Sequence, residues 1–186
     1  MSLLTHSFKH VVIVGALIAW VLLTLGGLAY SSAQRQKEFD PAQTLALAAM
    51  SAEFAPAVTT SMHAQYPSLA KTVVHIQQAD CSCNFSNNIH VDRIDTVLDK
   101  SAYHSVHVSV SDIPKEIILP SLPAVMVFDE QGQLGYFGPY SSGYFCSTET
   151  AFVDRFLTNV IENKHVGSAV VSDGYGCYCA NASTTS

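Results

Sequence analysis

The chain has 186 residues, 48% of them hydrophobic and only 13% charged, with a formal net charge of -6. The acidic balance and the lack of a basic run exclude a nucleic-acid surface. Neither G-x-x-x-x-G-K-[ST] nor G-x-G-x-x-G occurs, so nucleotide binding has no support, and the length allows one ordinary domain plus an additional segment.

That segment is N-terminal. Residues 11–30, VVIVGALIAWVLLTLGGLAY, carry no charge and show no polar face. About twenty apolar residues cross a bilayer core as a helix. A signal peptide's apolar region is shorter, about 7–15 residues. Although Ser31-Ser32-Ala33 resembles a cleavage site, the segment therefore reads as an uncleaved anchor. Lys9 precedes it and Arg35 and Lys37 follow it, so flanking charge does not orient it. The cysteines orient it better: Cys81, Cys83, Cys146, Cys177 and Cys179 all follow the segment, and disulfides persist in oxidising compartments such as the periplasm. The expected layout is a cytoplasmic N-terminus over residues 1–10, a single inner-membrane span over 11–30 and a periplasmic remainder. The odd cysteine count leaves one thiol free or paired between molecules.

Residues 34–40 form a polar exit from the membrane. Within residues 31–68, Pro41 opens an alanine-rich stretch to Tyr66, interrupted at Pro56, which reads as a helical stalk or as packing helices. The domain proper is expected over 69–166. A β-branched strand at 72–79 ends at Asp80-Cys81-Ser82-Cys83, NFSNN supplies capping residues, and a helix follows over 89–99 with Val91, Ile94 and Leu98 on one face. Residues 102–110 alternate as a strand, 113–123 form a proline-rich link, and AVMVF at 124–128 reads as a buried strand. A turn at 129–132 leads to a hairpin partner at 134–137. A helix over 150–163 carries the apolar stripe Val153, Phe156, Leu157, Val160 and Ile161. The tail, 167–186, is Gly/Ser-rich, holds the second C-x-C and ends in NASTTS, which reads as disordered.

With DCSCN at 80–84, where a strand meets a helix, and SLPAVMVFDEQGQLGYFGPY at 121–140, the chain resembles the thioredoxin-like superfamily over residues 69–163. The resemblance implies an α/β fold: a thioredoxin-like three-layer domain with a central mixed four-stranded sheet, preceded here by one transmembrane helix and a short helical stalk. It implies a third strand antiparallel to the first, a fourth antiparallel to the third, and a cis-proline, Pro123, beside the sulfurs. The loop GPYSSGYFC at 138–146 would then bring Cys146 to the edge that carries Cys81 and Cys83.

The function implied is thiol–disulfide exchange with protein partners in the periplasm. Cys81 would be the attacking or attacked sulfur and Cys83 the resolving one. Pro123 would shape the partner groove, with the Leu122 backbone offered to a partner strand. No cofactor is implied. The chain departs from the family's C-x-x-C by one residue. A helix N-terminus still stabilises a thiolate there, Asp80 opposes it, and a bridge across one residue departs from ideal geometry and reduces more readily.

Two other readings of the sulfurs stay open. Structural disulfides, with the C-terminal pair tied to Cys146 or to the front motif, would make a non-catalytic binding or scaffold domain. Alternatively, four C-x-C thiolates would suit a Cu(I)- or Zn(II)-handling protein. Among the histidines, His104 and His107 point to opposite faces of one strand and cannot share a metal, while His75 and His90 bracket the cysteine motif and either could tune it. Tyr136, Phe137, Tyr140, Tyr144 and Phe145 read as ordinary packing or as an apolar rim for an extended partner.

Overall fold

The computed structural model describes residues 2–34, 36–143, 151–164 and 166–181, and they fall into two units, Met1–Arg35 and Gln36–Ser186.

The first unit is one helix, α1 (Ser2–Gln34), whose stretch His10–Gln34 is 25 residues long and apolar enough to cross a membrane. At 1.5 Å per residue it measures about 37 Å, more than the roughly 30 Å hydrocarbon core. Within the apolar run, the Thr24 hydroxyl donates to the carbonyls of Trp20 and Val21 and so is satisfied by its own helix.

In the second unit, the β-branched run forms β2 (Thr72–Gln77) at the heart of the sheet. It is paired in parallel with β3 (His104–Ser109) and antiparallel with β5 (Ala124–Phe128), which in turn pairs antiparallel with β6 (Leu134–Gly138). The alternation expected over 102–110 buries only Val108 of β3, because that strand lies at the sheet edge. The sheet has five strands, not four, in the order β3-β2-β5-β6-β7. The fifth is β7 (Ala169–Val170), parallel to β6. Two residues in a Gly/Ser-rich tail are too short a run to show a strand period.

Each face of the sheet buries its own core. Val74, Ile76, Met126, Phe128 and Phe137 pack with residues of α2 (Thr44–Ala49) and α3 (Phe54–Gln65), including Leu45, Val58 and Met62. Val73, Val125, Val127 and Tyr136 pack with Ile94 and Leu98 of α4 (Asn84–Leu98) and with Val153, Leu157 and Val160 of α5 (Phe152–Ile161). α2 and α3 thus form one cover of the sheet, and Phe54 stacks on Phe137 at 6.3 Å. Pro56 does not interrupt its helix. It is the third residue of α3, in the first turn, where its missing N–H costs no helical bond. The helix after the cysteines begins at Asn84 rather than 89, with Cys83 as its N-cap residue. The expected capping residues are its first turn.

The remaining strands are short and tie the ends of the chain together. β1 (Gln36–Glu38) pairs antiparallel with β8 (Tyr175–Cys177), and β4 (Ser121–Leu122) pairs antiparallel with β9 (Cys179–Ala180). A single 3-10 turn at Val110–Asp112 leads into the proline-rich link, which buries Ile113, Ile117 and Leu119.

Candidate functional site

The four C-x-C sulfurs form two bridges, Cys81–Cys179 and Cys83–Cys177, spanning 98 and 94 residues of sequence. No bridge joins Cys81 to Cys83. Their Cα–Cα distances, 5.8 and 5.4 Å, lie in the usual range for a disulfide. Cys81 and Cys83 sit in the turn between β2 and α4 and are only 4% and 3% exposed, whereas Cys177 and Cys179 are half-buried. The turn is held locally: the Asn84 side-chain amide donates to the Gln78 carbonyl at 2.7 Å, and the Asn87 amide to the Cys83 carbonyl at 2.9 Å.

The tail reaches this turn because its aromatic residue is anchored. Tyr178, between the two tail cysteines, is buried against Phe39 with ring centroids 5.2 Å apart, edge to face, and its hydroxyl donates to the Ser141 carbonyl. Past the cysteines, the Asn181 side-chain amide donates to the Leu119 carbonyl at 2.9 Å and its backbone N–H to the Pro120 carbonyl.

β9 lies along β4, with Cys179 opposite Leu122 and Ala180 opposite Ser121. The Leu122–Pro123 peptide is cis. Cys81 Sγ lies 3.7 Å from the Leu122 carbonyl oxygen. This is a packing contact, because a bridged sulfur has no hydrogen to donate.

On the α4 side of the sheet lies a layer of stacked rings. His75 is fully buried and stacks on His107 at 4.8 Å and on Tyr140 at 5.7 Å. Its Nδ1 is 2.7 Å from the Tyr140 hydroxyl. Burial pushes His75 down to about 4. The neighbouring His107 acts in the same direction, and the Asp95 carboxylate only partly opposes them. His75 is therefore neutral near pH 7, and its 4.0 Å approach to Asp95 Oδ1 is not an ion pair. Burial, with a further push from Asp95, holds the Tyr140 phenol well above its ordinary value, so it keeps its hydrogen. His90 is buried too, with Nε2 3.1 Å from Ser141 Oγ.

The structure thus brings together Cys81, Cys83, Cys177, Cys179 and the Leu122–Pro123 peptide. Cys146, Tyr144 and Phe145 lie outside the described residues. Tyr136, Phe137 and Tyr140 are fully buried, so these three rings are core rather than rim. His104 does not join the ring layer: its Nε2 lies 3.1 Å from Thr72 Oγ1. Cys81, Cys83 and Cys179 lie close enough together to suggest a metal site, but as bridged sulfurs they offer no thiolate.

Sequence reasoning missed the grouping of His75 with His107 and Asp95. The available signal was the parallel pairing of the two strands, which puts His75 level with His107. It also left open whether the tail returns. The signal there was the equal spacing of the two cysteine pairs.

Residues 50–181 match the family described as "Domain of unknown function (DUF6436)", and the chain belongs to that family. No curated protein and no solved structure matches the chain significantly.

Proposed function

We propose that this DUF6436 protein is a membrane-anchored thiol–disulfide exchange domain on the periplasmic side of the inner membrane, with its own tail seated where a partner strand would lie. One observation carries the reading. Cys179 is bonded to Cys81 while its backbone pairs with Leu122, next to the cis-proline, and this is the arrangement a mixed disulfide with an extended partner would need. The strand order around β2 and the cis peptide before β5 support the thioredoxin-like resemblance. Two disulfides favour an oxidising compartment, and α1 is long and apolar enough to hold the domain at a membrane.

Exchange would proceed as follows. A partner thiolate attacks Cys81 Sγ, a new partner–Cys81 bond forms, and the Cys81–Cys179 bond breaks with its electron pair leaving on Cys179. A second partner thiol then displaces Cys81. The partner is oxidised to a disulfide, and Cys81 and Cys179 are left as two thiols. The opposite direction uses the same atoms. Cys81 is buried, so the tail must shift locally to admit the attacking thiolate, and Cys179 can leave β4 only once its bond to Cys81 has broken, with Cys177 still tied to Cys83. Phe85 and Ile89 stand exposed one turn apart on α4 just beyond the motif and would offer an apolar contact to a protein partner.

Burial of Cys81 and Cys83 favours a second reading, a scaffold domain in which both bridges are permanent staples. Equilibrating the full-length protein with thiol redox buffers and counting reduced cysteines by mass decides between them. Exchange predicts that Cys81–Cys179 reduces at a potential above about −300 mV, since exchange proteins lie between about −270 and −120 mV. If both bridges reduce only below about −300 mV, as structural disulfides do, the staple reading stands. The copper- or zinc-thiolate reading would require native protein with the four sulfurs reduced and metal-loaded.

A further inference from the structure

We propose that His75, Asp95 and His107 form a binding site for one Zn(II)-class ion, with a coordination position open to solvent. The site does not use the cysteines. It is built from three elements: β2 and β3 run in parallel with His75 level with His107, so both rings leave the same face of the sheet. α4 packs on that face through Ile94 and Leu98 and carries Asp95 beside Ile94. One ligand atom from each of the three residues lies within 4.8 Å of the others.

The buried end of the site independently calls for a ligand. The His75 side chain is 0% exposed, yet its Nε2 has no hydrogen-bond partner among the described residues, and neither has the buried Oδ1 of Asp95. The two atoms face each other at 4.0 Å, too far for a hydrogen bond and suited to an atom held between them. Buried polar atoms left unpaired are uncommon and need an explanation. A cation accepting both lone pairs provides one.

The surroundings fit as well. In the tautomer that ligates, His75 Nδ1–H donates to the Tyr140 oxygen 2.7 Å away, which fixes the ring and leaves the lone pair on Nε2, the usual outer-shell arrangement of a metal-bound imidazole. With bonds of about 2.0–2.2 Å, tetrahedral ligands stand roughly 3.3 Å apart. Closing from 4.8 Å falls to the two movable partners, half-buried Asp95 and exposed His107, while His75 stays put. Asp95 also lines an open cavity of about 490 Å³ with Asp99, Tyr103 and His104, which provides a path from solvent. Two imidazoles and a carboxylate suit zinc, and three protein ligands with a fourth position free resemble a reactive zinc site more than a closed structural one.

The test uses the full-length protein in detergent, with its bridges intact and any free thiol alkylated, titrated with Zn(II) and separately with Co(II). The expected result is one Zn(II) per chain. His107→Ala and Asp95→Ala, both at solvent-accessible positions, should each weaken binding by about tenfold or more, while Cys179→Ser leaves it unchanged. Co(II) should give visible absorption bands of a four- or five-coordinate centre without thiolate-to-cobalt charge transfer. The proposal is overturned if no stoichiometric zinc binds, if both variants bind as tightly as the parent, or if the cobalt spectrum shows thiolate ligation.

Discussion

Cys179 stands opposite Leu122 in an antiparallel strand pair while its sulfur is bonded to Cys81, so one residue of the tail is held by both backbone pairing and a covalent bond. These two attachments differ in strength. β9 is two residues long, and a pair of such strands is weak in water without the bond.

In a Cys179→Ser variant the Cys83–Cys177 bridge and Tyr178 still hold the tail nearby, but β9 should fray from β4 and make Cys81 accessible to alkylation by a small reagent in the native state, faster than the domain unfolds. Peptide mass mapping after timed alkylation would show it. Labelling of Cys81 only under denaturing conditions would mean that the tail stays seated without its bond.

The two bridges should be strongly non-additive in stability. Either one alone closes a loop of nearly a hundred residues, worth about 4–5 kcal/mol in the chain-entropy view. Once one is made, the other closes only the ring Cys81-Ser82-Cys83 with Cys177-Tyr178-Cys179, worth about 2 kcal/mol. Cys83→Ser with Cys177→Ser should thus cost about 2 kcal/mol, and removing all four sulfurs roughly 7, as read from denaturant unfolding.

Gly135 in β6 is required by close packing. A Cβ there would meet Val160 Cγ2 at 2.7 Å, and Val160 is a buried, stiff side chain of α5. Gly135→Ala should destabilise the domain by about 1–3 kcal/mol, measured by urea unfolding. An unchanged midpoint would mean that α5 shifts freely.

His75 should make the domain acid-sensitive in a defined window. Its folded value is lowered from the ordinary 6.5 to about 4. Above 6.5 both states are neutral and the stability is intact. As pH falls from 6.5 toward 4 the unfolded chain takes up a proton that the folded one refuses, and stability is lost by roughly 3 kcal/mol in all. The groups facing the ring are His107 on β3, Asp95 on α4 and Tyr140. Unfolding curves taken in chelator between pH 7 and 4 should show the loss, and His75→Gln should flatten it.

The strands that were legible in the sequence are those with a strong local signal. Thr72–Gln77 and Ala124–Phe128 are β-branched or wholly apolar runs bounded by turn residues, and the α5 stripe repeats at helical spacing. The cysteine turn and Pro123 were placed by order along the chain, and in the structure Cys81 Sγ lies against the carbonyl of Leu122, the residue before Pro123. What escaped was decided by partners remote in sequence. Ala169–Val170, Tyr175–Cys177 and Cys179–Ala180 have no period of their own and become strands only against β6, β1 and β4. Pro56 looked like a break because proline is disfavoured inside helices, and only the position of the first turn excuses it. His75 reads as an ordinary strand residue until Asp95 and His107 are set beside it.

The long span of the bridges has a temporal consequence. Synthesis runs from the N-terminus, so Cys81 and Cys83 are complete, side by side, for the time needed to add the 94 residues that separate Cys83 from Cys177. Throughout that interval neither sulfur has its final partner, and Cys146 is made before either one. An oxidant acting on the nascent chain would meet only wrong pairings. Correct assembly therefore depends on oxidation waiting until Cys177 and Cys179 have been added, or on a disulfide-reshuffling activity to undo what forms too early.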